Sequence, residues 1–181
     1  MDSLKGQLLI ASPALMDPDF RRTVVLIAEH TDEGALGVVL NRPADADVID
    51  AVPELSPLVD PDESLWVGGP VTTGAVVLAE FDEPAHAAAV VLEDIGFIPA
   101  DTEDFGDLAD ETRRARVFAG HSGWGPGQLE SEMEEDSWIL EPARSEDVFT
   151  DEPDALWSTV LQRKGRKYAL IATMPADPSL N

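Results

Sequence analysis

Short apolar segments rich in β-branched residues recur along this chain, and turn-forming residues separate them at irregular intervals. Residues 23–28 and 35–40 flank the turn Thr31-Asp32-Glu33-Gly34, a pattern that predicts a β-hairpin. Further strands are predicted at residues 65–67, 75–81, 115–119, 138–140 and 168–173. Helices are predicted around residues 48–52, within 101–111 and over 151–162, and residues 87–96 suit either structure. Because strands and helices do not alternate regularly, the pattern favours an α+β fold around a mixed, mainly antiparallel sheet.

Length and composition predict one soluble domain. The 181 residues are 44% hydrophobic and 27% charged, and they contain no linker or repeat, so we expect residues 1–181 to form a single domain ending in a polar tail at 175–181. The chain has no cysteine, which excludes disulfides and thiolate metal sites. The first six residues do not resemble a signal peptide, and no apolar run is long enough for a membrane helix. We therefore expect a cytoplasmic protein with no membrane contact.

The charge balance is strongly acidic. The chain carries 36 acidic against 12 basic residues and a formal charge of −24, a field that repels phosphate backbones. Direct nucleic-acid binding would need a local basic patch, and the candidates are Arg113-Arg114-Ala115-Arg116 and residues 163–167. The second follows a predicted helix with Gly165 at its C-cap, where cations complement the helix dipole. We expect no direct nucleic-acid binding, and we attribute the acidity to solubility or to a salt-rich habitat.

The segment Gly120-His121-Ser122-Gly123-Trp124-Gly125-Pro126-Gly127 lies between a predicted strand and a predicted helix. A glycine-rich bend at that point can present backbone N–H groups to an anion. No Walker lysine follows it, the Rossmann spacing is absent, and acidic residues from Glu130 onward oppose an anionic ligand. The glycines are therefore expected to serve mainly a tight turn with positive φ, and a small-molecule or peptide pocket is the alternative.

Four sequence blocks resemble the YqgE/AlgH family of small bacterial proteins, and together they span nearly the whole chain. The blocks are Gly6-Gln7-Leu8-Leu9-Ile10-Ala11-Ser12-Pro13 with Asp17-Pro18-Asp19-Phe20-Arg21-Arg22-Thr23-Val24-Val25; Gly37-Val38-Val39-Leu40-Asn41-Arg42-Pro43; Gly68-Gly69-Pro70-Val71; and Gly123-Trp124-Gly125-Pro126-Gly127-Gln128-Leu129-Glu130 continuing to Trp138. The Leu156-Trp157 helix and the ending Asp177-Pro178-Ser179-Leu180-Asn181 resemble actinobacterial members.

This resemblance implies a single α+β domain with a large, curved sheet flanked by helices. It implies no reaction, because the family is uncharacterised. The name AlgH reflects an association with the regulation of alginate production, so an indirect regulatory role is possible for the family. The chain has no helix-turn-helix signature, and its charge argues against direct contact with DNA. His121 departs from the aromatic residue that is usual in the family, which weakens any role for His121.

Hydrolysis through Ser122 is the sharpest enzymatic alternative. Gly120-His121-Ser122-Gly123 resembles the start of a nucleophile elbow, but the glycine required two residues after the serine is replaced by Trp124. His30 and His86 precede the serine, whereas α/β-hydrolases place their histidine last. No catalytic residue is therefore assigned. The scattered histidines and acidic runs predict no metal site, and no cofactor is expected.

Polar or glycine-rich residues at the ends of predicted strands suggest one surface cleft. Its candidate residues are Asn41, Arg42, Gly68, Gly69, Trp124, Gly125 and Gln128. Such a cleft could bind a carboxylate through the arginine, while the alternative is that Arg42 pairs with a nearby acid. The leading hypothesis is a non-enzymatic protein that binds a partner protein or small ligand there, and the runner-up is an enzyme of unrecognised activity. The exposure of Trp124 and Trp138 helps to distinguish these hypotheses. Exposed indoles would mark a binding surface, whereas buried indoles would belong to the core.

Overall fold

The computed structural model of the chain describes residues 2–99 and 101–174. The strands are β1 (Gln7–Ala11), β2 (Val24–Thr31), β3 (Gly34–Val39), β4 (Pro43–Asp47), β5 (Ser64–Val67), β6 (Val71–Phe81), β7 (Ala89–Leu92), β8 (Ile95–Phe97), β9 (Thr112–Trp124) and β10 (Trp138–Pro142). The α-helices are α1 (Val48–Ala51), α2 (Phe105–Asp110), α3 (Gln128–Glu134), α4 (Ser145–Val148), α5 (Pro153–Lys164) and α6 (Arg166–Ala172). Short 3-10 helices span Pro53–Leu58 and Pro84–His86.

The strands within these two ranges join one ten-stranded sheet. Its main path runs β10-β1-β2-β3-β9-β6-β8-β7, and all neighbours on that path are antiparallel. Strand β5 joins β9 in parallel and pairs with β4 on its other side. The predicted α+β fold with a mixed, mainly antiparallel sheet is confirmed.

Strand β9 organises the sheet because it is long enough to have three neighbours. Strand β6 follows one side of β9 from Thr112 to His121. The other side pairs first with β5, at Phe118 and Ala119, and then with β3, at residues 122–124. The change of neighbour falls within the glycine-rich segment, and it brings three strand ends to one point.

The sheet is curved, and its two ends approach each other. Gly6, just before β1, lies so close to the β7 edge that a Cβ built on it would stand 3.1 Å from the carbonyl oxygen of Val91. Beyond β10, the Ser145 hydroxyl donates a hydrogen bond to the Glu93 carboxylate in the turn after β7. The sheet thus wraps around part of the core, as the family resemblance implies.

Alternation along the strands distributes apolar side chains between two faces of the sheet. In β1, Leu8 and Ile10 belong to the cluster beneath α5, while Leu9 and Ala11 belong to the cluster beneath α3. Strands buried on both faces read as continuous apolar runs. A third cluster lies between β6, β9 and the helices α1 and α2.

Most of the sequence predictions of local structure agree with these elements. The hairpin at residues 23–40 forms as β2 and β3, the helices at 48–52, 101–111 and 151–162 appear as α1, α2 and α5, and Gly165 caps α5. The ambiguous stretch 87–96 contains β7 and the start of β8, joined by a turn in which Glu93 has a φ of 48°.

Two expectations were wrong. Residues 168–173, predicted as a final strand, lie mostly in helix α6, because Tyr168, Ile171 and Ala172 recur at helical spacing toward the core while Leu170 is 74% exposed. Residues 120–124, predicted as part of a bend, continue strand β9, because β3 supplies their backbone partners. The predicted tail at 175–181 lies outside the described residues. Among the helices described, none is long and apolar enough to cross a membrane.

Candidate functional site

Gly68 and Gly69 lie where β9 changes from β5 to β3. The Gly68 N–H donates to the Ala119 carbonyl, and its own carbonyl accepts from the Val39 N–H, so one residue links three strands. A Cβ on either glycine would approach β9 to less than 3.0 Å, at Gly120 for Gly68 and at His121 for Gly69. Close backbone packing therefore explains why glycines occupy these two positions.

Ser122 is part of the same junction and is fully buried. Its hydroxyl donates to the Gly68 carbonyl oxygen at 3.2 Å, which ties the serine to the sheet. A nucleophilic serine needs a base within hydrogen-bond reach. His30 is engaged elsewhere: its Nδ1 accepts from the Leu4 N–H at 2.9 Å, so Nε2 carries the proton that is donated to Glu130 at 2.8 Å. The geometry at Ser122 therefore gives hydrolysis no support.

Asn41 and Arg42 hold residues 17–22, which we call the anchored loop. The Asn41 side chain accepts from the Val24 N–H and donates to the Arg22 carbonyl, closing the loop at its base. The Arg42 guanidinium donates to three carbonyl oxygens of the loop, those of Pro18, Asp19 and Arg21. The Arg42 guanidinium was predicted to bind a ligand carboxylate or a nearby acid. In the structure its N–H groups donate to backbone carbonyl oxygens.

Trp124, Gly125 and Gln128 form a second group around the carboxylate of Glu132. Both Trp124 and Trp138 direct their indole N–H at Glu132 Oε1, at 3.4 and 3.1 Å, and the Gln128 amide donates to Oε2 at 3.0 Å. The Gln128 side-chain oxygen also accepts from the Gly125 N–H at 3.1 Å. With exposures of 6% and 4%, the two tryptophans belong to the core.

The anchored loop connects the two groups of predicted cleft residues. Phe20, in the middle of the loop, packs on Trp124 and edge-on to Trp138, with ring centroids 6.2 and 5.6 Å apart. Trp124 also lines a cavity of about 400 Å³ beside Glu29 and Glu33. The polar side chains of Asn41, Arg42 and Gln128 have hydrogen-bond partners within the chain. A binding role for the predicted cleft stays a prediction.

In the glycine-rich segment 120–127, only two of the four glycines have a positive φ angle. Gly120 has a φ of 72° inside β9, and Gly127, the residue before α3, has a φ of 76°. The intervening glycines adopt conformations open to other residues, and a Cβ on Gly123 would meet nothing within 4 Å. The tight turn that was predicted is thus confined to the bend before α3.

A different concave region has the chemistry of a binding site, and we call it the arginine groove. It consists of two adjoining cavities of about 360 and 310 Å³ that share Glu63, Arg116 and Asp151. Three of the chain's 12 basic residues line the larger cavity, namely Arg113, Arg114 and Arg116. Cavities of this size suit small ligands. The groove therefore brings three arginines together with four acids, which are Asp60, Asp62, Glu63 and Asp151, on one concave surface.

Arg116 lies at the centre of the groove and is only 6% exposed. Its Nη1 donates to the carbonyl oxygens of Val148 and Thr150 at 3.3 and 2.7 Å, and its guanidinium stacks 4.2 Å from the centroid of the Trp66 ring. The Nε–Nη2 edge of the guanidinium makes none of these contacts. An arginine can bind a carboxylate through this edge with two parallel hydrogen bonds.

The free edge of Arg116 faces two acids without a hydrogen bond to either. Nε lies 3.6 Å from Glu63 Oε1, and Nη2 lies 4.0 Å from Asp151 Oδ1. Burial raises the pKa of the Glu63 carboxyl against the opposing attraction of Arg116, and burial lowers the pKa of the Arg116 guanidinium. The pair is thus close enough to attract but is poorly solvated and poorly bonded.

Two buried N–H groups in the groove have no acceptor among the described residues. They are Arg116 Nε and Trp66 Nε1, and the Trp66 side chain belongs to a residue that is 5% exposed. A buried donor without a partner costs free energy, on the order of 1–3 kcal/mol, unless a ligand or water satisfies it. Both residues line the smaller cavity.

Arg114 and Arg113 bring two further guanidinium groups to the larger cavity. Arg114 binds the buried Glu80 carboxylate through Nε and Nη2, at 3.2 and 3.3 Å, and stacks 4.2 Å from the Phe149 ring centroid. Arg113 binds Asp94 and the Phe81 carbonyl oxygen at the rim. These arginines are about half exposed, so their outer faces can meet a ligand.

Sequence reasoning missed the groove, although it singled out the three arginines as a possible nucleic-acid patch. The usable signal was the alternation on a predicted strand, which places Arg114 and Arg116 on one face of β9. The partners could not be read from the pattern, since Glu63 and Phe149 come from segments distant in sequence.

Comparison with known proteins identifies the family. The AlgH-like family model matches residues 8–169 of the chain. The chain belongs to the AlgH-like family. A UPF0301 protein of Streptomyces avermitilis is 40% identical over 188 residues, covering 100% of this chain and 97% of that protein. A UPF0301 protein of Chlorobaculum tepidum is 39% identical, with coverage of 97% and 95%.

Two solved structures of AlgH-like architecture have the same fold. A Corynebacterium diphtheriae protein determined by X-ray crystallography superposes with a TM-score of 0.85 at 29% identity, covering 96% of this chain and 93% of that one. The solution structure of the AlgH protein from Pseudomonas aeruginosa gives a TM-score of 0.71 at 27% identity, covering 97% of each chain. The resemblance predicted from the four sequence blocks is confirmed.

Proposed function

We propose that this AlgH-like protein is a non-catalytic cytosolic binding protein that takes a small ligand bearing an oxyanion in the arginine groove. The observation that carries the proposal is the free Nε–Nη2 edge of Arg116 beside the unpartnered Trp66 N–H. A ligand oxygen at this point satisfies buried donors that the chain leaves open. Any regulatory role would then be indirect, through the state of the bound ligand rather than through DNA.

A few apolar residues also line the groove, whose accessible walls are mainly polar. Leu58 and Val59 line the larger cavity beside Phe149, and Trp66 and Pro153 line the smaller one. Ligand pockets commonly combine apolar walls with a few convergent polar groups that fix orientation. Ser122 has no part in this proposal, and no described group near the groove is arranged as a nucleophile with its base.

Thermal unfolding in the presence of benzoate, acetate or inorganic phosphate tests the proposal. A ligand that binds only the folded state stabilises it, by about 2.7 kcal/mol at a concentration 100 times Kd. We expect at least one probe to raise the Tm of the wild type. Arg116→Lys keeps the charge but removes the fork, and it should abolish the shift while its circular dichroism remains native.

Arg166→Lys is the matched control, because Arg166 is exposed on α6 and lies outside the groove. It should respond to the probes as the wild type does. The absence of a shift with every probe, or an equal shift in all three proteins, would refute the groove as the ligand site.

A further inference from the structure

We infer that the groove recognises a monoanionic carboxylate of a small organic acid, and that Glu63 fills this carboxylate position in the free protein. The inference rests on the proposed function and concerns the same site. It begins with Arg116, whose Nη1 is committed to the carbonyls of Val148 and Thr150. Only the Nε–Nη2 edge is then left, and its two parallel N–H groups match the two oxygens of one carboxylate.

Glu63 lies on that edge but does not complete the match. Its Oε1 is 3.6 Å from Arg116 Nε, whereas a bidentate arginine–carboxylate pair has donor–acceptor distances near 2.8 Å. Glu63 precedes β5, and its side chain is partly buried, which raises the pKa of its carboxyl. A ligand carboxylate is not tethered to the chain. It can make both hydrogen bonds, and Glu63 can turn toward solvent.

The acids around the groove decide between carboxylate and phosphate. Asp60, Asp62 and Asp151 line the cavities together with Glu63, while Arg114 and Arg116 provide the opposing charge. Because these four acids outnumber the three arginines that line the cavities, a dianionic phosphate is disfavoured more strongly than a monoanionic carboxylate. Trp66 adds one more donor, which can reach a single ligand oxygen.

Competition with Glu63 gives ligand binding a characteristic pH dependence. The groups that face Glu63 are Arg116 on β9, Asp60 and Asp62 in the segment before β5, and Asp151 before α5. When the pH falls and Glu63 takes up a proton, the negative charge that competes for Arg116 is lost. Binding of a ligand that stays ionised then strengthens. In a variant without this carboxylate the same pH change has little effect.

The experiment is a titration of the full chain with benzoate from pH 7.5 down to the lowest pH at which the chain stays folded, followed through the indole N–H resonance of Trp66. The indoles of Trp124, Trp138 and Trp157 have acceptors within the chain and serve as internal references. Glu63→Gln should bind benzoate about tenfold more tightly than the wild type at pH 7.5, a typical size for coupling between competing groups. The wild type should approach this affinity as the pH falls.

Asp62→Asn is the matched control, because it removes one negative charge from the neighbouring residue without touching the Arg116 edge. Its affinity should stay within about twofold of the wild type. Equal affinity of the wild type and Glu63→Gln, or inorganic phosphate binding more tightly than benzoate, overturns this inference and leaves the proposed function standing. If neither protein binds any of these anions, the proposed function itself fails.

Discussion

Replacement of Gly69 by alanine tests whether the glycine pair Gly68-Gly69 serves packing rather than ligand binding. Gly69 has a φ of 155°, which side-chain-bearing residues rarely adopt, and an added Cβ would come closer than 3.0 Å to the backbone of His121 and to Ser122 Oγ. The obstructing atoms belong mainly to the backbone of β9, which is paired on both sides and cannot yield locally.

The expected cost combines two effects. Overpacking a tight site costs about 1–3 kcal/mol, and a residue held in a sparsely populated backbone region costs a further 1–3 kcal/mol or so. We therefore expect Gly69→Ala to lower the free energy of unfolding by about 2–6 kcal/mol. With a urea m-value of roughly 2 kcal/mol/M, the midpoint should fall by about 1–3 M at unchanged m.

Gly123→Ala provides the control within the same sheet. Gly123 lies in β9, a Cβ there meets nothing within 4 Å, and its φ is not positive. This variant should unfold within about 0.5 kcal/mol of the wild type or be slightly more stable, because alanine loses less backbone entropy on folding. The packing argument is refuted if Gly69→Ala proves as stable as Gly123→Ala.

Three further predictions concern polar contacts outside the groove. The Glu130 backbone N–H and the His30 side chain hold the pKa of the Glu130 carboxyl below its ordinary value of 4.5. The ionised carboxylate therefore stabilises the folded chain above pH 4.5, and this contribution disappears as the pH falls through the folded pKa. In Glu130→Gln, urea midpoints should depend less on pH below 4.5. Arg163→Ala leaves the buried Asp147 carboxylate without its bidentate partner and should cost about 3–5 kcal/mol in urea unfolding, with part recovered by adding Asp147→Asn. Arg42→Ala should speed tryptic cleavage within the anchored loop at little cost to global stability, and unchanged proteolysis would contradict its anchoring role.

The sequence predicted the elements whose apolar periodicity is local and complete. The hairpin of β2 and β3 carries its own turn, and α5 carries a proline start, a one-sided apolar face and a glycine stop. The last predicted strand failed because a short apolar run fits both periods, and packing against α5 decided in favour of helix.

The candidate site was harder to predict because its contacts are almost all between distant segments. Strand-end residues were expected to share a surface cleft, and the contacts of the anchored loop with Asn41, Arg42 and Trp124 could not be read from the sequence. The free donors of Arg116 depend on Glu63 standing slightly too far away, a distance that no sequence pattern encodes. The family resemblance predicted the fold correctly, but it did not predict a ligand or a reaction.

The pairing of β1 has a consequence for how this protein is made. Its register joins Gln7 to Pro142 and Ala11 to Trp138, so one edge of β1 is paired only by β10, the last of the described strands in chain order. On the ribosome β2 and β3 emerge early, while the outer edge of β1 keeps its unpaired N–H and C=O groups until β10 has been synthesised. Exposed edges of apolar strands recruit other chains. The nascent protein is therefore most vulnerable to aggregation before residue 142 emerges, and the acidic segments that flank its strands repel neighbouring nascent chains during that interval.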